Sequence, residues 1–147
     1  MLYGIGCDVC DIAHLEKSLS GAHAAAFVRR VFGPAERAAL GLDEPLPAGR
    51  AAAHKTASAA ADFAAKEAFL KAAGTGLRAP FSLCEIEAVR LPSGAPAYHF
   101  SGPTADWVTA HGLHAHLSLS HDGGVALAFC ILETAPETSP ASVHTME

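Results

Sequence analysis

Residues 2–9 alternate, with Tyr3, Ile5, Cys7 and Val9 on one side and Gly4, Gly6 and Asp8 on the other. A period of two predicts a β-strand. Its second face, two glycines beside an aspartate, is bare, so another backbone or a ligand can come close there. Helical patterns follow over 11–19 and 24–32, and Gly33-Pro34 breaks the chain ahead of a short helix reaching Leu40. Residues 41–49 hold two prolines and two glycines and read as loop. The longest helix is predicted over 56–73, capped by Thr56 or Ser58, filled with alanine and ended by Gly74. Beyond it, 82–91 and 97–100 read as paired strands around a turn at 92–94, and 103–111 as a short helix. A closing hairpin is expected from 114–121 and 125–132, turning at His121-Asp122-Gly123-Gly124. Residues 134–147, rich in Ala, Pro, Ser and Thr, read as a mobile tail. The expected architecture is α+β: one domain over 1–133, an antiparallel sheet with a long helix across one face.

Length and composition narrow the function classes. A chain of 147 residues, half of them apolar, supports one domain with a modest core. No apolar run reaches the length of a membrane span, and Met1-Leu2-Tyr3-Gly4 lacks the basic segment of a secretion signal. The expected compartment is the cytoplasm, with no membrane partner. Ten basic against fifteen acidic residues, net −5, argue against nucleic acid. Cys7, Cys10, Cys84 and Cys130 read as reduced thiols, because the lone Cys7-x-x-Cys10 has no second pair at zinc spacing. His111, His114 and His116 read as surface residues without a fixed fourth ligand.

The chemistry concentrates in three places: Asp8 on the glycine-flanked strand, Phe63-Ala-Ala-Lys66-Glu67-Ala-Phe-Leu-Lys71 on the long helix, and Gly74-Thr75-Gly76 directly after it. Positions 63, 67, 71 and 74 share a helical face, so Glu67 and Lys71 are neighbours one turn apart. Alone, such a pair is a solvated i,i+4 ion pair. Together with Asp8 it makes a phosphate site: two carboxylates suit Mg²⁺, which completes its shell with phosphate oxygens, while Lys71 neutralises a phosphate and the glycines let backbone approach it.

Gly4-Ile5-Gly6-Cys7-Asp8-Val9, the segment from Phe63 through Lys71 to Gly76, and Leu117-Ser118-Leu119-Ser120-His121-Asp122 resemble the holo-acyl-carrier-protein synthases, the short 4′-phosphopantetheinyl transferases. Phe27-Val-Arg-Arg30-Val-Phe32-Gly-Pro-Ala-Glu36 matches a further block, and the resemblance spans residues 2–133. It implies a homotrimer with coenzyme A between subunits, and transfer of phosphopantetheine from coenzyme A to a serine of an acyl carrier protein. Asp8 and Glu67 match the metal carboxylates, for Mg²⁺ with Mn²⁺ as the alternative, and Lys71 the lysine near the coenzyme A phosphates. Lys66 belongs to the same motif, its head group expected at the cofactor or the surface. Ser118, Ser120 and His121 match a Ser-x-Ser-His close to the nucleotide, contributed by the neighbouring subunit, and Pro96 a proline near the adenine. The serine's base is left open between Glu67 and a metal-bound water.

The match has departures. His14 stands where the family commonly has an arginine on the helix that receives the carrier, and His23 with Ala24, Ala25 and Ala26 replaces further basic residues. Asp62 stands where an arginine often precedes the helix motif; Lys17, Arg29, Arg30 and Arg37 remain. A strongly acidic carrier is therefore expected to bind weakly, with a shallow salt dependence. The alternative function is a coenzyme A or nucleotide binder with little turnover. The 41–49 loop and Asp62 are the features expected to alter the coenzyme A pocket.

Overall fold

The computed structural model describes residues 1–136; the predicted tail from 137 onward lies outside the described residues. The elements run β1 (Leu2–Asp11), α1 (Ile12–Ser20), α2 (Ala24–Val31), α3 (Pro34–Leu40), α4 (Arg50–Ala73), β2 (Ile86–Arg90), β3 (Pro96–Phe100), α5 (Gly102–Ala110), β4 (Leu113–Asp122) and β5 (Val125–Thr134). The α+β class holds, with antiparallel pairing throughout, but the strands form two sheets: three strands in the order β1-β5-β4, and the hairpin β2-β3.

β1 explains why α4 lies where it does. Asp8 pairs with Ala128 and Gly6 with Cys130 across β5. Gly4 and Gly6 press directly on the α4 backbone, where a Cβ on either would overlap the carbonyl oxygens of Ala72 and Ala68. The bare face of the strand thus serves the approach of the helix, and α4 answers with Ala64, Ala65, Ala68 and Ala72, all buried. Adding one methyl means lifting helix from sheet. Gly6→Ala is expected to lose about 3 kcal/mol of stability, since overpacking against backbone has no rotamer to relax into. Urea unfolding checks this, and a loss below about 1 kcal/mol contradicts the packing described.

The same alternation sends Tyr3, Ile5 and Val9 outward, where they join Val125, Leu127 and Phe129 of β5 on an exposed apolar face. The opposite face carries the core: Phe69 meets Phe81, Tyr98 and Phe100, and Ala128, Cys130 and Leu132 close it from β5. A second cluster, built from Leu15, Leu19, Val28, Val31 and Phe32, packs α1 and α2 on the first half of α4.

Three boundaries differ from the sequence reading. β1 runs on to Asp11, whose Oδ1 accepts the N–H of His14 at 2.9 Å and caps α1. α4 starts at Arg50, so Thr56 is no cap; it is buried inside the helix with its hydroxyl unpartnered. The stretch 82–91 begins with a single 3₁₀ turn, Leu83–Glu85, before β2. The 41–49 loop borders an apolar hollow with Leu19, Ala24, Ala25 and Val28, on α1 and α2.

Candidate active site

Two elements carry the central cluster. Asp8 projects from β1 toward α4, and Lys71, in the last turn of that helix, donates from Nζ to Asp8 Oδ1 and to the Cys7 carbonyl, both at 2.9 Å. The Asp8 carboxylate is 18 % exposed and the Lys71 side chain 55 %, so an enclosed acid meets a cation free to turn toward a ligand. Glu67, one turn earlier and half-buried, is held above the usual carboxylate range first by burial and then by the Asp8 charge, with Lys71 opposing. Lys71 is itself raised, chiefly by its hydrogen bond to Asp8. Two carboxylates close enough to repel, answered by one ammonium, form a site short of positive charge.

That donor set fits a hard divalent cation. Mg²⁺ takes one or two carboxylates and fills its shell with phosphate oxygens and water, which is what Asp8 and Glu67 can supply. Among the described residues no cluster of three or more His, Cys, Asp or Glu could hold a metal.

Gly74 ends α4 in the left-handed conformation at φ 78°, its N–H shared between the Leu70 and Lys71 carbonyls. Only glycine takes that angle without strain, and the turn brings Thr75 and Gly76 round beside the last helical residues. Nothing lies within 4 Å of where a Cβ would stand on Gly74 or Gly76. Thr75 Oγ1 donates to the Gly76 carbonyl.

The remaining expected site residues lie elsewhere. Pro96, Ser120 and His121 line one cleft with Ala57, Ser58 and Arg90, about 240 Å³ in volume. Ser118, on the same face of β4 as Ser120 and paired with Phe129, does not line that cleft. Ser58 and Glu67 are nine residues apart on α4, two and a half turns, so cleft and carboxylates face opposite sides of the helix. Within this chain the two are separate.

Lys66 corrects the sequence reading. Its ammonium is fully buried, donating to Glu36 Oε2 at 2.6 Å and to the Leu83 and Ile86 carbonyls, with the Phe32 ring 5.4 Å away. It does not reach the surface, because the core places a carboxylate beside it. Arg90 and Ser58 were missed. The available signal was Arg90 itself, a cation closing a strand beside the 92–94 turn. Asp62, read as a lost arginine, pairs with Arg90 at 3.0 Å.

The thiols are free, and burial with the Asp8 and Asp11 charges pushes Cys10 up to about 11, away from reactivity. His111 stacks on Trp107, and His116 Nε2 lies 2.7 Å from Glu133 Oε1 on the surface. No helix among the described residues is long and apolar enough to cross a membrane.

The 4′-phosphopantetheinyl transferase superfamily matches residues 4–130. A holo-[acyl-carrier-protein] synthase from Methylobacterium sp. (strain 4-46) is 40% identical over 144 residues, 95% of this chain and 99% of the relative. The crystal structure of holo-[acyl-carrier-protein] synthase from Neisseria meningitidis superposes with a TM-score of 0.73 at 30% identity, covering 91% of this chain and all of that one. The Bacillus anthracis synthase in complex with CoA (3′,5′-ADP) gives a TM-score of 0.71 at 30% identity, covering 92% and 99%. With the helix motif, the glycine-flanked aspartate and the fold in agreement, the chain belongs to the 4′-phosphopantetheinyl transferase superfamily and, within it, to the holo-[acyl-carrier-protein] synthases.

Proposed function

We propose that the protein transfers 4′-phosphopantetheine from coenzyme A to a serine of an apo-acyl carrier protein, releasing adenosine 3′,5′-bisphosphate. The observation that carries this reading is the Asp8–Lys71 pair at 2.9 Å, with Glu67 one helical turn from Lys71 and an open glycine turn directly after the helix. Similar synthases bear the name of that activity, and one is described in complex with CoA (3′,5′-ADP).

Asp8 and Glu67 would hold Mg²⁺, which when bound supplies charge neutralisation at the pyrophosphate oxygens. The serine Oγ forms a bond to the phosphorus carrying pantetheine. The bond from that phosphorus to the bridging oxygen breaks, and its electron pair leaves with the nucleotide. Lys71 is placed to offset charge on the phosphoryl oxygens, and preorganised charge of this kind is the main contribution proteins make to phosphoryl transfer. The serine proton passes to Glu67 or to water beside it. Gly74, Thr75 and Gly76 border this space.

A homotrimer would bring the divided site together. The apolar outer face formed by Tyr3, Ile5, Val9, Val125, Leu127 and Phe129 suits burial against further copies of the chain. In the homotrimer, the cleft of Pro96, Ser120 and His121 from one protomer faces the carboxylates of the next, with Ser118 at the junction. Phe129→Asp is expected to convert trimer into monomer and abolish transfer together, as read by light scattering and carrier mass. A wild-type protein that is monomeric at micromolar concentration and fully active overturns the shared site.

Lys17, Arg29 and Arg30 are exposed on α1 and α2 and available to an acidic carrier. Arg37 is turned inward, donating to the Phe32 carbonyl. The deciding experiment combines protein, coenzyme A, Mg²⁺ and apo-carrier, then weighs the carrier. A gain equal to phosphopantetheine supports the enzyme. Tight coenzyme A binding with no gain on any carrier supports a binding module.

A further inference from the structure

Asp62 lies inside α4 with its side chain 3 % exposed, facing Arg90 at the end of β2, which is 41 % exposed. Arg90 Nη2 donates to Asp62 Oδ1 at 3.0 Å, and Nη1 makes only a long 3.4 Å contact with the Val89 carbonyl. A guanidinium has five N–H donors in a planar fork. With one edge fixed by a buried acid, the rest of the fork stays available to solvent. Burial raises Asp62 to about 6, with the adjacent guanidinium pulling the other way, so the acid depends on Arg90 for its charge.

The cleft beside Arg90 has a distinct chemistry. Arg90 is its cation, Ser58, Ser120 and His121 add polar groups, Ala57 and Pro96 add apolar surface, and no carboxylate-bearing side chain lines it. At about 240 Å³ it is smaller than the usual site for a whole cofactor, so it takes part of one. A phosphomonoester on a nucleoside offers several oxygens to the free donors of the guanidinium fork and a flat ring to the apolar surface, and so matches these features.

We infer that Arg90, positioned by Asp62, binds the terminal phosphomonoester on the ribose of coenzyme A and selects the cofactor that carries it. This rests on the transferase reading for the identity of the ligand. Asp62 acts through Arg90 and is a positioning residue. The cation of the cleft therefore comes from a strand end, and the helix contributes the acid that holds it.

Calorimetric titration of the full chain in EDTA, with coenzyme A and with 3′-dephospho-coenzyme A, tests this without turnover or metal. Wild type is expected to prefer coenzyme A. Arg90→Gln is expected to weaken coenzyme A by roughly 10- to 100-fold, the range for a charged hydrogen bond, and dephospho-coenzyme A by less than about 2-fold. Arg90→Lys keeps the ion pair and the fold while removing the fork, and is expected to lose about 3- to 10-fold for coenzyme A alone. Asp62→Asn should show a smaller selective loss of the same kind. Equal losses for both cofactors, no loss in the Arg90→Lys protein, or a wild type indifferent to the phosphate overturns the assignment. Selective losses without mass gain on any carrier uphold it and overturn the transferase instead.

Discussion

Glu67→Gln is expected to lower transfer by roughly 100- to 1000-fold, the range for removing one preorganised charge contact from a reacting centre. The substitution keeps the shape, removes the charge and exchanges one acceptor oxygen for an amide donor. Its effect on folding is expected to be small and of opposite sign. Burial and the Asp8 charge raise the Glu67 carboxyl above its ordinary value. A raised acid contributes stability that is present below its unfolded pKa and is lost as pH rises through its folded one. Above that window the ionised carboxylate is a burden that glutamine lacks, so in metal-free buffer near neutrality Glu67→Gln should melt no lower than wild type. Mg²⁺ reverses the comparison. A ligand bound only by the native state raises stability by about 2.7 kcal/mol at one hundred times its Kd. Millimolar Mg²⁺ with coenzyme A should thus raise the wild-type melting temperature and leave Glu67→Gln nearly unmoved. Full Mg²⁺-dependent transfer by Glu67→Gln sinks the metal assignment, and an equal Mg²⁺ shift in both proteins sinks it independently.

The central cluster was legible because it depends on short-range rules. Alternation over 2–9 placed Asp8 on the glycine face, and helical spacing placed Glu67 beside Lys71. What periodicity did not reveal was decided by distant partners. The ordinary expectation buries Tyr3, Ile5 and Val9, yet these face outward, because Gly4 and Gly6 allow α4 to sit on the other side. The start of α4 was read at Thr56 because a hydroxyl is the usual cap, whereas Gly49 precedes the first helical residue. β2 and β3 alternate much like the other strands, and nothing local states that they pair only with each other. Asp62 looked like a lost cation until Arg90, twenty-eight residues away, came into contact with it. Lys66 and Glu67 are adjacent, and the fold alone sends one to the core and leaves the other half-exposed.

Lys66→Met is expected to lose roughly 3–5 kcal/mol of stability, the usual consequence of stranding one member of a buried ion pair. For a domain of this size the melting temperature should fall by on the order of 10 °C. The reason is a network that joins four elements, α3, α4, β2 and β3. Lys66 on α4 meets Glu36 on α3, and Glu36 accepts the N–H of Gly33 at 3.0 Å and that of Ala88 on β2 at 2.8 Å. Glu87 Oε1 accepts the N–H groups of Ala35 and Glu36, filling the space beside Gly33, while Oε2 meets His99. Burial lowers Lys66 and raises Glu36 to about 7, so each charge persists through the other and through backbone partners. Methionine removes the cation and leaves the acid. Since the raised Glu36 carboxyl favours the folded state when protonated, the deficit of Lys66→Met should be larger at about pH 8 than at about pH 5.5. Glu36→Met in the same chain removes the stranded acid, and the double variant should recover much of the loss, because apolar replacement of a buried pair is often close to neutral. Denaturant unfolding of the two single variants and the double gives the coupling directly. A loss below about 1 kcal/mol for Lys66→Met, with reduced affinity for coenzyme A, would instead return this lysine to the cofactor.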